Sequence, residues 1–263
     1  MAELRLEIED GIALVTMDNP PVNAASQDWD FQGVFDSFYY NTDVRVAVLT
    51  GEGTRSFCAG ADVKRRAADV SEAQESGGAG GNTAYISGQR RGRENFNCIL
   101  ESAVPVIGAI NGYCLGAGMA LAGSCDYLIA SETASFGLPE INVGLLGGAR
   151  HMMRAFPHHI VRRAHYSGER ISAQDAYHFG AVWKLAPPEQ LMEVVMEEAR
   201  LIASKMPIGI RLAKENLSMI ETMDVRNGYR WEQTRTRILQ ETEDALEAKR
   251  AFAEKRQPIY HGR

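Results

Sequence analysis

The segment from Ser102 to Cys125 constrains the fold most, because it carries no charged residue and yet is long enough to span a bilayer. Pro105 and four glycines between Gly108 and Gly118 interrupt it too often for a lone lipid-facing helix. Val104 to Ile110 instead suits a buried strand, and Ala117 to Ser124 suits a buried helix. The segment therefore predicts a strand, a glycine-rich turn and a helix inside a globular core.

Strands and helices are expected to alternate through the first half of the chain. Leu4, Leu6 and Ile8 alternate with charged residues, and Asp10-Gly11 then turns the chain, which predicts a β-hairpin ending near Met17. The other expected elements are a helix from Asp28 to Tyr39, a strand from Val44 to Leu49, a helix that Asp62 caps and Val63 begins, and a strand from Tyr127 to Ala130. This order favours an α/β fold with ligand loops at strand ends.

The last third of the chain is predicted to be mostly helical. The expected helices are Arg150 to Phe156, Ile160 to Ser167, Ser172 to Phe179, Pro188 to Lys205, Ile208 to Ile220, and Val225 to Glu254 with breaks. Ser172 and Asp175 have the spacing of a helix cap. We expect residues 1–195 to form the core and residues 196–263 a helical region. The glycine-rich segment 76–81 is predicted to be a mobile loop, although an interdomain linker is the alternative.

Composition narrows the classes of function. The 263 residues are 45% hydrophobic and 24% charged, which is ordinary for a soluble enzyme. A net charge of −6 disfavours nucleic acid or an anionic membrane as partner. Four cysteines without Cys-x-x-Cys pairing, and a start without a long apolar run, predict reduced thiols in a cytoplasmic protein. The histidines lack the companion ligands of zinc, so no metal site is expected.

Two segments of small residues predict an oxyanion hole. They run from Ser56 to Asp62 and from Asn111 to Met119. Backbone N–H groups stabilise a developing enolate best where no side chain blocks the approach, and Ala61 and Ala117 are the expected donors. The simpler interpretation is that these segments only begin a helix or allow close helix packing, but their pairing favours the site.

These two segments resemble the crotonase superfamily, also called the enoyl-CoA hydratase/isomerase family. Further matches are Pro21 to Ser26, Phe136-Gly137-Leu138-Pro139-Glu140 and the tail Phe252 to Arg256. The resemblance implies a ClpP/crotonase fold, a spiral of β-β-α units with a C-terminal helical trimerisation region. It also implies an acyl-CoA substrate with no permanently bound cofactor, a homotrimer or hexamer, and substrate contacts from Ala59, Gly60, Asp62, Gly116 and Gly118.

Glu140 is the expected acid/base. It follows Leu138-Pro139 and precedes Ile141, an apolar setting that is expected to raise the pKa of its carboxyl group. Such a group can take a proton from carbon and return it, with a gain of ~100- to 10,000-fold in rate. A lone glutamate is more often a solvated surface group, and the match to the family's Gly-x-Pro-Glu carries the assignment.

Ala120 departs from the family pattern, because a hydratase of this family carries its second glutamate there. Adding water across a double bond is easiest with two carboxylates, whereas moving a proton between carbons needs only one. The absence makes isomerisation at least as plausible as hydration. It is also the best support for a non-catalytic module that binds CoA esters.

A second departure is the segment from Gly147 to Met152, where relatives usually have Pro-Gly-x-Gly-Gly. Arg150 is expected to bind a substrate carboxylate or carbonyl, and His151 to transfer a proton. This would suit a CoA-dependent C–C bond hydrolase or ring-opening enzyme. The alternative is that Arg150 pairs with a structural acid and His151 only packs the helix.

Basic residues are candidates for the phosphates of coenzyme A. Lys64 and Lys255 each stand in a basic run, although such runs are more often solvated surface. The resemblance implies that Phe252 and Lys255 contact CoA from a neighbouring subunit, which favours them over Lys64.

Overall fold

The computed structural model describes residues 2–61 and 81–263. These residues form ten strands and ten α-helices. The strands are β1 Glu3–Glu9, β2 Ile12–Asp18, β3 Val46–Gly51, β4 Ser56–Cys58, β5 Val106–Ile110, β6 Tyr113–Leu115, β7 Tyr127–Ser131, β8 Ser135–Gly137, β9 Ile171–Ser172 and β10 Lys184–Ala186. The helices are α1 Phe31–Tyr40, α2 Gly81–Leu100, α3 Ala117–Ser124, α4 Ala149–Ala155, α5 His158–Ser167, α6 Ala173–His178, α7 Leu191–Ala203, α8 Pro207–Ile220, α9 Val225–Gln240 and α10 Glu243–Glu254. Two 3₁₀ helices span Pro139–Val143 and Pro188–Gln190.

The first sheet has the strand order β1-β2-β3-β5-β7-β10. Only β1 and β2 pair antiparallel, and the predicted hairpin is confirmed, with Asp10 and Gly11 at φ of +51° and +80° in its turn. The other pairs are parallel. All residues of β3 and β5 are buried, as is usual for parallel strands covered on both faces.

The second sheet positions the site. Its strand order is β4-β6-β8-β9, and β4, β6 and β8 run parallel. Cys58 of β4 lies opposite Cys114 of β6. Because these strands end at one edge of the sheet, the residues that follow them, Ala61, Ala117 and Glu140, emerge at that edge.

The C-terminal helices pack against the first sheet through α7. Val195, Ala199 and Ala203 are buried in a cluster with Val46 and Ile107 of the sheet. The predicted boundary after residue 195 falls inside this helix, so Ala199 and Ala203 belong with the core in packing terms. The division into a core and a helical region stays a prediction.

Most helices and five of the ten strands agree with the sequence, whereas the helix α2 and the strands β4, β6, β8, β9 and β10 were not predicted. The strand at Val106–Ile110 and the helix at Ala117–Ser124 are confirmed. The predicted cap at Ser172 is also confirmed, since its hydroxyl accepts from the Asp175 N–H at 3.0 Å. Gly81, expected in a loop, begins the helix α2. Asp62, Lys64, the helix expected from Val63 and residues 76–80 lie outside the described residues.

The cysteines and the apolar segments agree with a globular interior. All four cysteines are free thiols, and burial raises the pKa of Cys58 and Cys125 to about 12. Within the described ranges, no helix is long and apolar enough to cross a bilayer. The same residues contain no cluster of His, Cys, Asp or Glu side chains suited to a metal ion.

Lys214 anchors α8 to the first sheet, and its loss is expected to destabilise the fold. Its ammonium group is 2.9 Å from Asp126 Oδ1, and Lys214 is only 3% exposed. Lys214→Met leaves the Asp126 carboxylate without this partner, so we expect the free energy of unfolding to fall by about 3 kcal/mol in urea titrations. Lys184→Met is the matched control, because Lys184 pairs with Glu198 but its side chain is 41% exposed, and we expect a much smaller loss than for Lys214→Met. Equal losses in both variants would contradict this role.

Candidate active site

The first expected donor, Ala61, is held by the strand-like segment at Ala25. The Ala25 N–H donates to the Gly60 carbonyl at 2.8 Å, and Ala25 and Ala61 form a parallel bridge. Gly60 has φ of +99°, a conformation that favours glycine and turns the chain sharply just before Ala61. Neighbouring backbone therefore holds this turn.

The second expected donor, Ala117, is the first residue of α3. The first N–H groups of a helix have no acceptor within the helix, so the Ala117 N–H is available to a ligand at the positive end of the helix dipole. A Cβ atom on Gly60 would lie 3.8 Å from the Ala117 nitrogen. The two donor segments are thus direct neighbours, as the sequence predicted.

Glu140 reaches this point from the 3₁₀ helix that follows β8. A Cβ atom on Gly116 would lie 2.7 Å from Glu140 Oε1 and 3.5 Å from the Gly60 Cα atom. The carboxyl group therefore contacts the turn that carries Ala117. Leu138, on one side of Glu140 in the sequence, is fully buried as expected. Ile141, on the other side, is 45% exposed, so the setting of Glu140 is less apolar than the sequence suggested.

The segment that departs from the family pattern closes the same site. A Cβ atom on Gly147 would lie 3.8 Å from Glu140 Oε1, and one on Gly148 would lie 3.1 Å from the Gly116 carbonyl oxygen. Gly148, at φ of +71°, leads directly into α4. Arg150 and His151 follow in the first turn of α4, where His151 packs against Gly123, near the opposite end of α3 from Ala117.

Arg150 and His151 have different environments. Arg150 is exposed, which leaves its guanidinium accessible to a ligand. His151 is half-buried, with its ring 5.1 Å from the Phe96 ring in an edge-to-face arrangement and its backbone against Gly123 of α3. Burial, together with Arg154 and Arg150, lowers the pKa of His151 below its usual 6.5. A neutral imidazole near pH 7 is able to accept a proton, and this role of His151 stays a prediction.

Ala120 is a buried residue of α3. It is 2% exposed, and its N–H donates to the Gly116 carbonyl at 3.1 Å in the first turn of the helix. The position of the missing hydratase glutamate is therefore adjacent to the site, and here it supplies only a methyl group.

Some predicted contact residues are placed elsewhere or serve packing. The missing side chain of Gly118 lets α3 approach the Cys58 backbone, since a Cβ atom there would collide with the Cys58 carbonyl. Phe252 is 88% exposed near the end of α10, and Lys255, also exposed, ends that helix at φ of +54°. Substrate contacts from Ala59 and Gly60 stay a prediction.

Arg154 binds the end of α3, a role that was not predicted from the sequence. Its guanidinium donates to the carbonyls of Gly123 and Cys125 at the end of α3, and to the Glu221 carboxylate at 3.0 Å. A cation at this end stabilises the helix whose start carries Ala117. The partners lie 29 to 67 residues away in sequence, so no local pattern indicates them.

Comparison with known proteins identifies the family. The family model described as enoyl-CoA hydratase/isomerase matches residues 7–263. The chain belongs to the enoyl-CoA hydratase/isomerase family. Members act on CoA thioesters, which agrees with a backbone oxyanion hole.

Relatives of the chain differ in the reactions for which they are named. A (7aS)-7a-methyl-1,5-dioxo-2,3,5,6,7,7a-hexahydro-1H-indene-carboxyl-CoA hydrolase from Mycobacterium tuberculosis is 40% identical over 94% of this chain and 96% of its own length. A carnitinyl-CoA dehydratase from Salmonella typhimurium is 34% identical over 95% of this chain and 94% of its own. An enoyl-CoA hydratase from Bacillus anthracis superposes with a TM-score of 0.88 at 31% identity, covering 99% of both chains. The crotonase-like fold is therefore confirmed.

Gly116→Ala is expected to damage the site while leaving the fold intact. The new methyl group would lie 2.7 Å from Glu140 Oε1 and would strain a residue at φ of +55°. Displacement of the carboxyl group is expected to lower the rate of α-proton exchange in an acyl-CoA ester roughly 100-fold, as measured by mass spectrometry in deuterium oxide. Gly180→Ala is the control, because Gly180 has φ of +74° but open space around its Cα atom. A similar rate loss in both variants would show that backbone strain alone is responsible.

The lowered pKa of His151 predicts a dependence of stability on pH. The unfolded chain protonates this imidazole near pH 6.5 and the folded chain only at lower pH, so stability is complete above 6.5 and falls as the pH drops through this window. We expect the loss of unfolding free energy between pH 7.5 and pH 5 to be smaller in His151→Gln than in the wild type. Parallel pH profiles in chemical denaturation would contradict the burial of a neutral His151.

Proposed function

We propose that the protein is a CoA-dependent C–C bond hydrolase that opens a ring ketone of an acyl-CoA ester. The observation that carries this proposal is the likeness, over nearly the whole of both chains, to a relative named as a hydrolase of a dioxo ring system linked to CoA. A second such relative, from Rhodococcus jostii, is 38% identical over 96% of this chain. The geometry of the site supports the same chemistry.

The oxyanion hole suits a reaction in which the thioester enolate is the leaving group. Water attacks a ketone carbon in the β position, and the bond between this carbon and the α-carbon breaks. The electron pair moves onto the thioester oxygen, where the Ala61 and Ala117 N–H groups stabilise the negative charge. The ketone carbon becomes a carboxylic acid, and the enolate takes up a proton at its α-carbon.

One carboxyl group is enough for this sequence of steps. Glu140 takes a proton from the attacking water and later returns it to the α-carbon, so that one water is consumed and the carboxylate is restored. Glu140 Oε1 is next to the turn that carries Ala117, and this proximity supports its proposed role as the base. The alanine at position 120 is thus compatible with hydrolysis of a C–C bond.

Arg150 and His151 are proposed to recognise the additional oxygen of the substrate. The exposed Arg150 guanidinium binds a second carbonyl or a new carboxylate, and the neutral His151 assists proton transfer. Phe252 and Lys255 are proposed to contact the CoA moiety of a neighbouring subunit in a trimer or hexamer. Their exposure at the end of α10 supports an intermolecular role.

Isomerisation of an enoyl-CoA is the second candidate. The buried alanine at position 120 supports it, because moving a proton between two carbons also requires one carboxyl group. A non-catalytic module that binds CoA esters is the candidate from another class, and it predicts binding without exchange of the α-proton.

The experiment that separates these functions is mass spectrometry of a panel of CoA esters. Cyclic 3-oxoacyl-, 2-enoyl- and 3-enoyl-CoA are incubated with the enzyme in heavy-oxygen water and in deuterium oxide. We expect the cyclic 3-oxoacyl ester to gain one water, with heavy oxygen in the new carboxylate and deuterium at the α-carbon. Glu140→Gln should lower this rate by ~100-fold or more.

Controls assign the ring-opening specificity to Arg150. Arg150→Met is expected to weaken turnover of a substrate with a second carbonyl ~10-fold more than that of a simple 3-oxoacyl-CoA. Arg162→Met changes another exposed arginine, on α5, and should leave both rates unchanged. Double-bond migration without added water would support the isomerase instead. Tight binding without deuterium uptake would support the non-catalytic module.

A further inference from the structure

We propose that the side-chain amides of Asn23 and Asn111 are positioning groups that fix the separation of the Ala61 and Ala117 N–H donors. Both act through the backbone that they hold and not on the substrate. This inference rests on the oxyanion hole of the proposed function, and it identifies what sets the geometry of that hole.

Asn23 holds both ends of the turn that leads into β4. Its Nδ2 group donates to the Ser56 carbonyl at 2.7 Å and to the Glu52 carbonyl at 3.0 Å. Its Oδ1 atom accepts from the Asn19 N–H at 3.1 Å. The residue is 4% exposed and has φ of +51°, a conformation that asparagine adopts more readily than most residues. Both amide protons of Asn23 are therefore used to hold this turn.

Asn111 holds the same turn from the other donor segment. Its Nδ2 group donates to the Gly51 carbonyl at 2.7 Å and to the Gly53 carbonyl at 2.6 Å. Asn111 is 7% exposed. It is followed by Gly112 and then by β6 and α3. Asn111 therefore ties the chain that leads to Ala117 to the chain that leads to Ala61.

The two amides together bind four carbonyl groups in one turn, residues 51–56. The adjoining backbone continues the connection, since the Tyr113 N–H donates to the Arg55 carbonyl and the Ser56 hydroxyl to the Tyr113 carbonyl, both at 3.1 Å. The missing side chain of Gly112 allows this approach, because a Cβ atom there would collide with Arg55. Displacement of this turn therefore moves the Ala61 segment relative to the Ala117 segment.

Such a displacement is expected to affect the transition state more than substrate binding. An oxyanion is stabilised only when both donors lie at hydrogen-bond distance from the same oxygen. The CoA moiety contributes binding energy elsewhere, so the ground state tolerates a small error in donor spacing. A positioning role thus predicts a loss in kcat without a matching rise in KM.

The variants Asn23→Asp and Asn111→Asp test this inference with side chains of nearly the same size. Each replaces an amide donor by an oxygen that faces two carbonyl groups and repels them. We expect kcat for a CoA ester that the wild type turns over to fall roughly 10- to 100-fold per folded enzyme, with KM changed less than about threefold. Asn216→Asp is the matched control, because Asn216 on α8 is 6% exposed, and it should leave kcat per folded enzyme unchanged.

A binding measurement separates positioning from simple destabilisation. A CoA analogue that carries a nitronate mimics the enolate, whereas a saturated acyl-CoA mimics the ground state. We expect the Asn23 and Asn111 variants to lose affinity roughly tenfold for the nitronate and to retain it for the saturated ester. Asn→Ser variants, which remove the donors without adding a charge, are used for either position where the aspartate prevents folding.

Three outcomes would overturn the inference. Variants that melt at lower temperature but keep the wild-type kcat and both affinities would show that the amides serve stability alone. A wild-type protein that neither turns over the esters nor prefers the nitronate would contradict the proposed function, and this inference with it. Activity in the wild type beside unaffected variants contradicts the positioning role only.

Discussion

The contact of backbone segments around Gly116 is the constraint on which the site depends. This one residue lies against Gly60, against Glu140 Oε1 and, through its carbonyl oxygen, near Gly148. Backbone N–H groups can face a common ligand only when the chains that carry them come closer than side chains allow. The absence of a side chain at Gly116 therefore allows the donors, the carboxyl group and the turn before α4 to lie close together.

The second sheet converts this local contact into a stable arrangement. Parallel strands β4, β6 and β8 end at one edge, so three segments far apart in sequence emerge side by side. The carboxyl group of Glu140 lies beside the start of α3. The helix dipole favours negative charge at this end of the helix.

Features that depend on local sequence were predicted well, and features that depend on distant contacts were not. The first hairpin and α3 were found because turn residues and an uncharged apolar run specify them locally. The helix α2 was missed because glycine and arginine weaken its apolar pattern, and among its residues 89–100 only Ile99, near the end, is fully buried. The small residues of the site were recognised, but the bonds donated by the Asn23 and Asn111 amides and by Arg154 span 29 to 67 residues and have no local signal.

The short helix α3 is restrained at both of its ends. The Gly116 N–H donates to the Gly137 carbonyl at 3.0 Å before its first turn, and Arg154 binds the carbonyls after its last turn. A rod fixed in this way cannot tilt to accommodate a different acyl group. The exposed residues Ile141, Val143 and Leu146 follow Glu140 and lie outside the buried core, so substitutions there, as at the exposed Arg150, leave α3 in place. Substrate recognition can thus change during evolution without rebuilding the arrangement of the predicted N–H donors.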